Sequence, residues 1–142
     1  MLDKPVTDKQ LIEMAALARE KAYAPYSGFP VGAALLARSG KVYTGCNVEN
    51  ASSGLTICAE RVAVFKAVSE GEQEFDTIAV VTATGASPCG ACRQVLIEFG
   101  DSLRVLVADT EGHVLEFSVE QLIPNAFPGW SLEGSGALDV AK

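Results

Sequence analysis

The stretch that decides the fold runs from Cys58-Ala59-Glu60-Arg61, through the apolar run Asp76–Thr82, to Pro88-Cys89-Gly90-Ala91-Cys92-Arg93-Gln94. Val62, Ala63, Phe65, Lys66 and Ala67 follow Cys58 in a helical pattern that Gly71 stops, which predicts a helix over Cys58–Ser69. Asp76–Thr82 is rich in β-branched residues and reads as a buried strand; Ala91–Phe99 reads as a second helix, ended by Gly100. A helix, a strand and a helix in this order predict an α/β domain. Cys58 opens the first of these helices, so each thiolate would sit near a positive helix end. Pro88 is read as a helix-start residue, and Cys89 and Cys92, three apart, share one helical face. Three thiolates leave the fourth position of a tetrahedral zinc open, as a catalytic site requires. Glu60, two residues after the first cysteine, supplies a group that takes and returns protons, so the chemistry indicated is metal-assisted hydrolysis.

The flanks extend this reading. Leu11, Ile12, Met14, Ala15, Leu17 and Ala18 fall at helical spacing within residues 8–22, with Thr7 as N-cap. Ala24-Pro25-Tyr26-Ser27-Gly28 breaks that helix. Val31–Ala37 and Lys41–Cys46 form a hairpin about Ser39-Gly40, and Asn47–Thr56 is a loop. Leu103–Ala108 and His113–Phe117 are strands joined by the turn Glu111-Gly112, and Ser118 caps a short helix ended by Pro124. The order helix, hairpin, helix, strand, helix, strand, strand implies a sheet covered by helices. The 142 residues are read as one domain, 1–142, with residues 128–142 a loosely ordered tail.

Composition narrows the partners. The net charge is −7, with 11 basic residues scattered singly against 18 acidic ones, so a nucleic acid polymer is a poor partner. A small, mostly neutral molecule fits better. No apolar run approaches the roughly 20 residues of a membrane span, and the N-terminus does not read as a signal peptide. Reduced thiols in the cytoplasm are therefore the expectation for the four cysteines.

Three thiolates on one zinc carry a net charge of −1, which weakens the metal as a Lewis acid. Arg61, three residues after Cys58, and Arg93, next to Cys92, are the candidates to offset it by donating to a ligand sulfur. Competing readings are incidental or redox thiols, and a structural zinc that recruits Cys46 as fourth ligand. Cys46 has no partner at ligand spacing and is expected to pack as a small hydrophobe. His113, the lone histidine, is expected on a strand surface.

Five blocks in order then resemble the small, single-domain cytidine deaminases: Ala24–Ala34, Gly45-Cys46-Asn47-Val48-Glu49-Asn50-Ala51, Cys58–Arg61, Ser87–Gln94 and Leu122-Ile123-Pro124-Asn125-Ala126-Phe127. The resemblance implies a three-layer α-β-α fold with a five-stranded mixed sheet and one Zn²⁺ per subunit held by Cys58, Cys89 and Cys92. It implies hydrolysis of cytidine or deoxycytidine to uridine or deoxyuridine plus ammonia, as in pyrimidine salvage, with Glu60 moving protons. Asn47 and Glu49 would meet the ribose 3′-hydroxyl, the Ala59 N–H the ring O2, and the Ser87 carbonyl the exocyclic amine. Phe29 would line the pocket. Phe127 would stack on the base in a neighbouring subunit of a homotetramer. One departure stands out: Ser53 occupies a position where the family often carries tyrosine. This opens an alternative, a roomier pocket for modified cytosine nucleosides, N4-substituted or resembling blasticidin S. A polynucleotide-editing deaminase is disfavoured by the acidic charge and by Cys58 as first ligand. A non-catalytic zinc module would have no need of Glu60.

Overall fold

Ile78 and Val80 face one side of a central strand and Ala79 and Val81 the other, and the same alternation of Val105 and Val107 with Leu106 and Ala108 marks its neighbour. A sheet apolar on both faces needs helices on both. The structure, a computed structural model, describes residues 4–127. The order is α1 (Asp8–Arg19), β1 (Gly32–Ala37), β2 (Val42–Cys46), α2 (Ala59–Ser69), β3 (Phe75–Thr82), α3 (Gly90–Ile97), β4 (Arg104–Asp109), β5 (Val114–Ser118) and α4 (Val119–Leu122). The five strands line up as β2-β1-β3-β4-β5. The β3–β4 pair is parallel and the other pairs are antiparallel.

Helix α1 covers one face through Leu11 and Ala15, while α2, α3 and α4 cover the other through Ala63, Val64, Leu96, Ile97 and Val119. This is the expected three-layer α/β arrangement on a five-stranded mixed sheet. Thr7 closes a capping box with Gln10, and α1 ends at Arg19, short of the expected residue 22. Ser118 caps α4 in the same way with Gln121. Two glycines set how close the helices come to the β1–β2 hairpin. A Cβ on Gly32 would lie 2.0 Å from the Ala15 carbonyl oxygen, and one on Gly45 would lie 2.5 Å from that of Ala59. Gly45 thus seats the start of α2, with Cys58 and Glu60, directly on β2.

The polar segment read as a loop carries more structure than expected. Ser53–Leu55 forms a 3₁₀ turn, and Val48 bridges to both Tyr23 and Ile57. His113 sits one residue before β5 and contacts Asp109 rather than standing in the strand. The tail expected over 128–142 lies outside the described residues.

Candidate active site

Helices α2 and α3 both begin at a cysteine. Cys58 is the N-cap of α2 and Cys89 that of α3, and neither side chain caps its own helix. Pro88 therefore precedes the cap instead of occupying the first helical position. Cys92 sits one turn in, completely buried. The three sulfurs lie within 4.8 Å of one another, with Cys58 Sγ and Cys89 Sγ 3.6 Å apart. Tetrahedral zinc with bonds of about 2.3 Å spaces its sulfurs about 3.8 Å apart, so the donor set and its spacing fit one zinc ion with a fourth position left over. Cys46 stands outside the cluster, its thiol 3.5 Å from the Lys21 carbonyl oxygen, which removes the four-cysteine alternative.

Two helix N-termini and one guanidinium face this sulfur cluster. Arg61 Nη2 donates to Cys58 Sγ at 3.4 Å. The Cys58 thiol is drawn down to about 5, chiefly by the neighbouring Cys92 thiol, with Arg61 and Cys89 adding to it. Cys92 is held far above the ordinary thiol range by the neighbouring Cys58 sulfur and by desolvation. A zinc ion takes all three as thiolates, so its binding displaces the Cys92 proton. Arg93 does not touch a sulfur. Its Nε donates to the Pro88 carbonyl at 2.8 Å and its Nη1 to the Leu122 carbonyl at 2.7 Å, because its place in the first turn of α3 aims it back along the chain. Of the two arginines, Arg61 alone takes the expected position against the thiolates.

A cavity of ≈ 190 Å³ opens beside the cluster, lined by Phe29, Asn47, Cys58, Glu60, Ser87 and Cys89 among others. Glu60 is 4% exposed, and burial raises its carboxyl to about 7, with the Cys58 charge pushing the same way against Arg61. A group that titrates near neutrality is suited to both accepting and releasing a proton. Asn47 is buried: its Oδ1 accepts from Val31 N at 2.8 Å and its Nδ2 donates to the Phe29 carbonyl at 3.0 Å. One amide hydrogen remains free for a further acceptor.

The remaining expected contacts lie off this cavity. Glu49 is not among its lining; its carboxylate accepts from Tyr26 N at 2.9 Å and Ser27 N at 3.1 Å, and from the Ser27 hydroxyl. Those bonds hold its pKa below the usual value, the Ser27 hydroxyl contributing most. Phe29 N donates in turn to Ser27 Oγ, so Glu49 shapes the loop that presents Phe29. Ala59 is buried as the first residue of α2. Phe127 is 64% exposed and does not line its own chain's cavity. Ser53 is exposed on the 3₁₀ turn and does not line it either. Thr56, Val80 and Thr82 do line it, and the sequence reading did not single them out. Their signal was the period of two: Val80 and Thr82 share the face that meets α2 and α3. Thr82 Oγ1 also accepts from Gly85 N and Ala86 N, both at 2.8 Å, which folds the loop before Cys89 over the strand end.

The model of the cytidine and deoxycytidylate deaminase zinc-binding region matches residues 5–108. The chain belongs to this deaminase family. A cytidine deaminase of Sporosarcina psychrophila is 52% identical over 122 residues, covering 84% of this chain and 90% of that protein. The crystal structure of the cytidine deaminase from Burkholderia pseudomallei superposes with a TM-score of 0.83 at 55% identity, covering 85% of this chain and 99% of that one. The cytidine deaminase of Mycobacterium tuberculosis superposes with a TM-score of 0.74 at 42% identity, over 85% and 98% of the two chains. The deaminase chain described here shares their α/β fold, and its cysteine cluster matches the zinc-binding character of the family. Among the described residues no helix is long and apolar enough to cross a membrane.

Proposed function

We propose that this deaminase hydrolyses the C4 amine of cytidine and deoxycytidine, yielding uridine or deoxyuridine and ammonia, as a step of cytoplasmic pyrimidine salvage. The observation that carries the proposal is the cluster of three sulfurs, two of whose cysteines, Cys58 and Cys89, line one cavity together with the buried Glu60. Cys58, Cys89 and Cys92 hold the metal. When bound, zinc supplies Lewis-acid activation of the attacking water. Glu60 takes the proton of that water, passes it to ring N3, and assists departure of the amine; its buried carboxyl on the cavity lining, two residues from Cys58, supports this role. The Ser87 carbonyl accepts from the exocyclic amine and orients C4. The N–H of Ala59, at a helix start that its N-cap side chain leaves unsatisfied, holds ring O2.

A cavity of ≈ 190 Å³ is smaller than the about 300–1,000 Å³ of usual small-molecule sites and suits a pyrimidine ring with the sugar at its mouth. Phe29 walls the ring. Asn47, through its free amide hydrogen, recognises the ribose together with Glu49, which lies off the cavity lining but keeps acceptor capacity on Oε2 beyond its bond to Ser27. Phe127 completes the site by stacking on a base in a neighbouring subunit of a homotetramer, which accounts for a large apolar ring left exposed on an anchored backbone. The test is addition of cytidine while its ultraviolet absorbance is followed. Loss of absorbance with cytidine and a much slower loss with free cytosine are expected; equal rates would refute ribose recognition.

A further inference from the structure

Arg93 and Gln94, adjacent in the first turns of α3, bind two parts of the chain that are distant in sequence, Pro88 and Leu122–Phe127. On one side Arg93 holds the carbonyl of Pro88, the residue before Cys89. On the other it holds the carbonyl of Leu122, the last residue of α4. Gln94 Nε2 donates to the Phe127 carbonyl at 2.8 Å. Between these anchors Ile123 and Ala126 pack on the core, and Asn125 turns the chain at φ 57°. The backbone of this arm is therefore fixed at both ends while the Phe127 ring points into solvent. A carbonyl on each arm of one planar guanidinium is a rigid link, because its donors have a fixed geometry.

We propose that Arg93 is a positioning residue. It ties the arm Leu122–Phe127 to the Cys89 loop of its own chain, so the placement of Phe127 in a neighbour's site is set by this chain's metal loop. The proposal rests on the reading that Phe127 serves a neighbouring subunit. Truncating Arg93 frees the arm and leaves the neighbour's zinc ligands and Glu60 untouched. Its effect on the neighbour falls on base stacking, hence on KM more than on kcat.

The test uses two differently tagged chains, co-expressed and purified through both tags. One is Phe127→Ala, with intact Glu60 and Arg93. The other is Glu60→Gln, which cannot turn over but donates its arm. Hybrids of these two should regain activity in the Phe127→Ala chains' sites. Replacing the donor by Glu60→Gln/Arg93→Met should raise the hybrid's KM for cytidine about tenfold at equal zinc content, with kcat changed less than about threefold. Identical KM values for the two hybrids would overturn the role of Arg93 alone. Failure of the first hybrid to regain activity would overturn the Phe127 reading, and this proposal with it. If the double variant does not assemble, Glu60→Gln/Gln94→Ala replaces it with the same expectations. A readout without turnover accompanies these: amide hydrogen exchange of Ile123 and of residues 125–127 should quicken about tenfold in Arg93→Met, with or without zinc. Unchanged exchange would also overturn the proposal.

Discussion

Gly45→Ala puts one methyl group where α2 meets β2. The new Cβ would lie 2.5 Å from the Ala59 carbonyl oxygen, 2.7 Å from Ala63 N and 3.0 Å from Val62 Cβ. The first two are backbone atoms and cannot rotate away. Against a contact optimum of roughly 3.5 Å, the clash amounts to about 1 Å, and the start of α2 must lift from the sheet by that order. Overpacking of this kind costs about 1–3 kcal/mol. For a domain of this size that is a fall in Tm of roughly 3–10 °C. Cys58 and Glu60 ride on the same turn, and a displacement of about 1 Å at reacting groups costs on the order of 10²-fold in rate. Differential scanning calorimetry and steady-state kinetics at measured zinc content check both numbers. Gly54→Ala is the control, since its Cβ would meet nothing within 4 Å. A Gly45→Ala protein that matched the Gly54→Ala control in Tm and kcat would refute the claim that this glycine seats the site.

Other consequences are tested more briefly. Arg61→Met removes the donor to Cys58 Sγ, and zinc affinity measured by chelator competition should fall about 10–100-fold, while an unchanged affinity would refute the charge compensation. Arg104 forks onto Asp8 at 2.7 and 3.1 Å and onto Glu116 at 3.0 and 3.2 Å, and the pKa values of both carboxyls are lowered, chiefly by that hydrogen bonding. A carboxyl whose folded pKa lies below its unfolded value of about 4 adds stability above that value and loses it as pH falls through the folded one. Arg104→Met should therefore narrow the stability difference between pH 7 and pH 3 in urea titrations, most visibly at low salt; an unchanged difference would refute the linkage. N4-methylcytidine tests the alternative raised by Ser53: turnover comparable to cytidine would support a roomier assembled pocket, and complete rejection would remove it.

The local signals in the chain were strong where one interaction decides a boundary. Thr7 and Ser118 announced their helices because a capping box needs only residues three apart, and Gly71 and Gly100 marked stops because each takes positive φ. The cysteine cluster was legible because zinc chemistry constrains spacing. What stayed hidden depends on tertiary approach. Arg93 reaches Leu122, far along the chain, and no local pattern shows which carbonyl a guanidinium will meet. Glu49 turned to the Tyr26–Ser27 backbone for the same reason. Gly45 read as a strand residue, and only the packed α2 shows why no side chain fits there. Thr82 looked like the end of a buried strand, yet its hydroxyl folds the loop that carries Ser87 and Cys89.

The central claim is that Glu60 moves the protons of a zinc-dependent hydrolysis at a site held by Cys58, Cys89 and Cys92. The most direct measurement is kcat for cytidine in Glu60→Gln at a zinc content of one per chain. The substitution keeps shape and removes the titrating carboxyl. The account predicts a loss of at least about 10²-fold with zinc retained. Turnover undiminished in a fully zinc-loaded Glu60→Gln protein would contradict it.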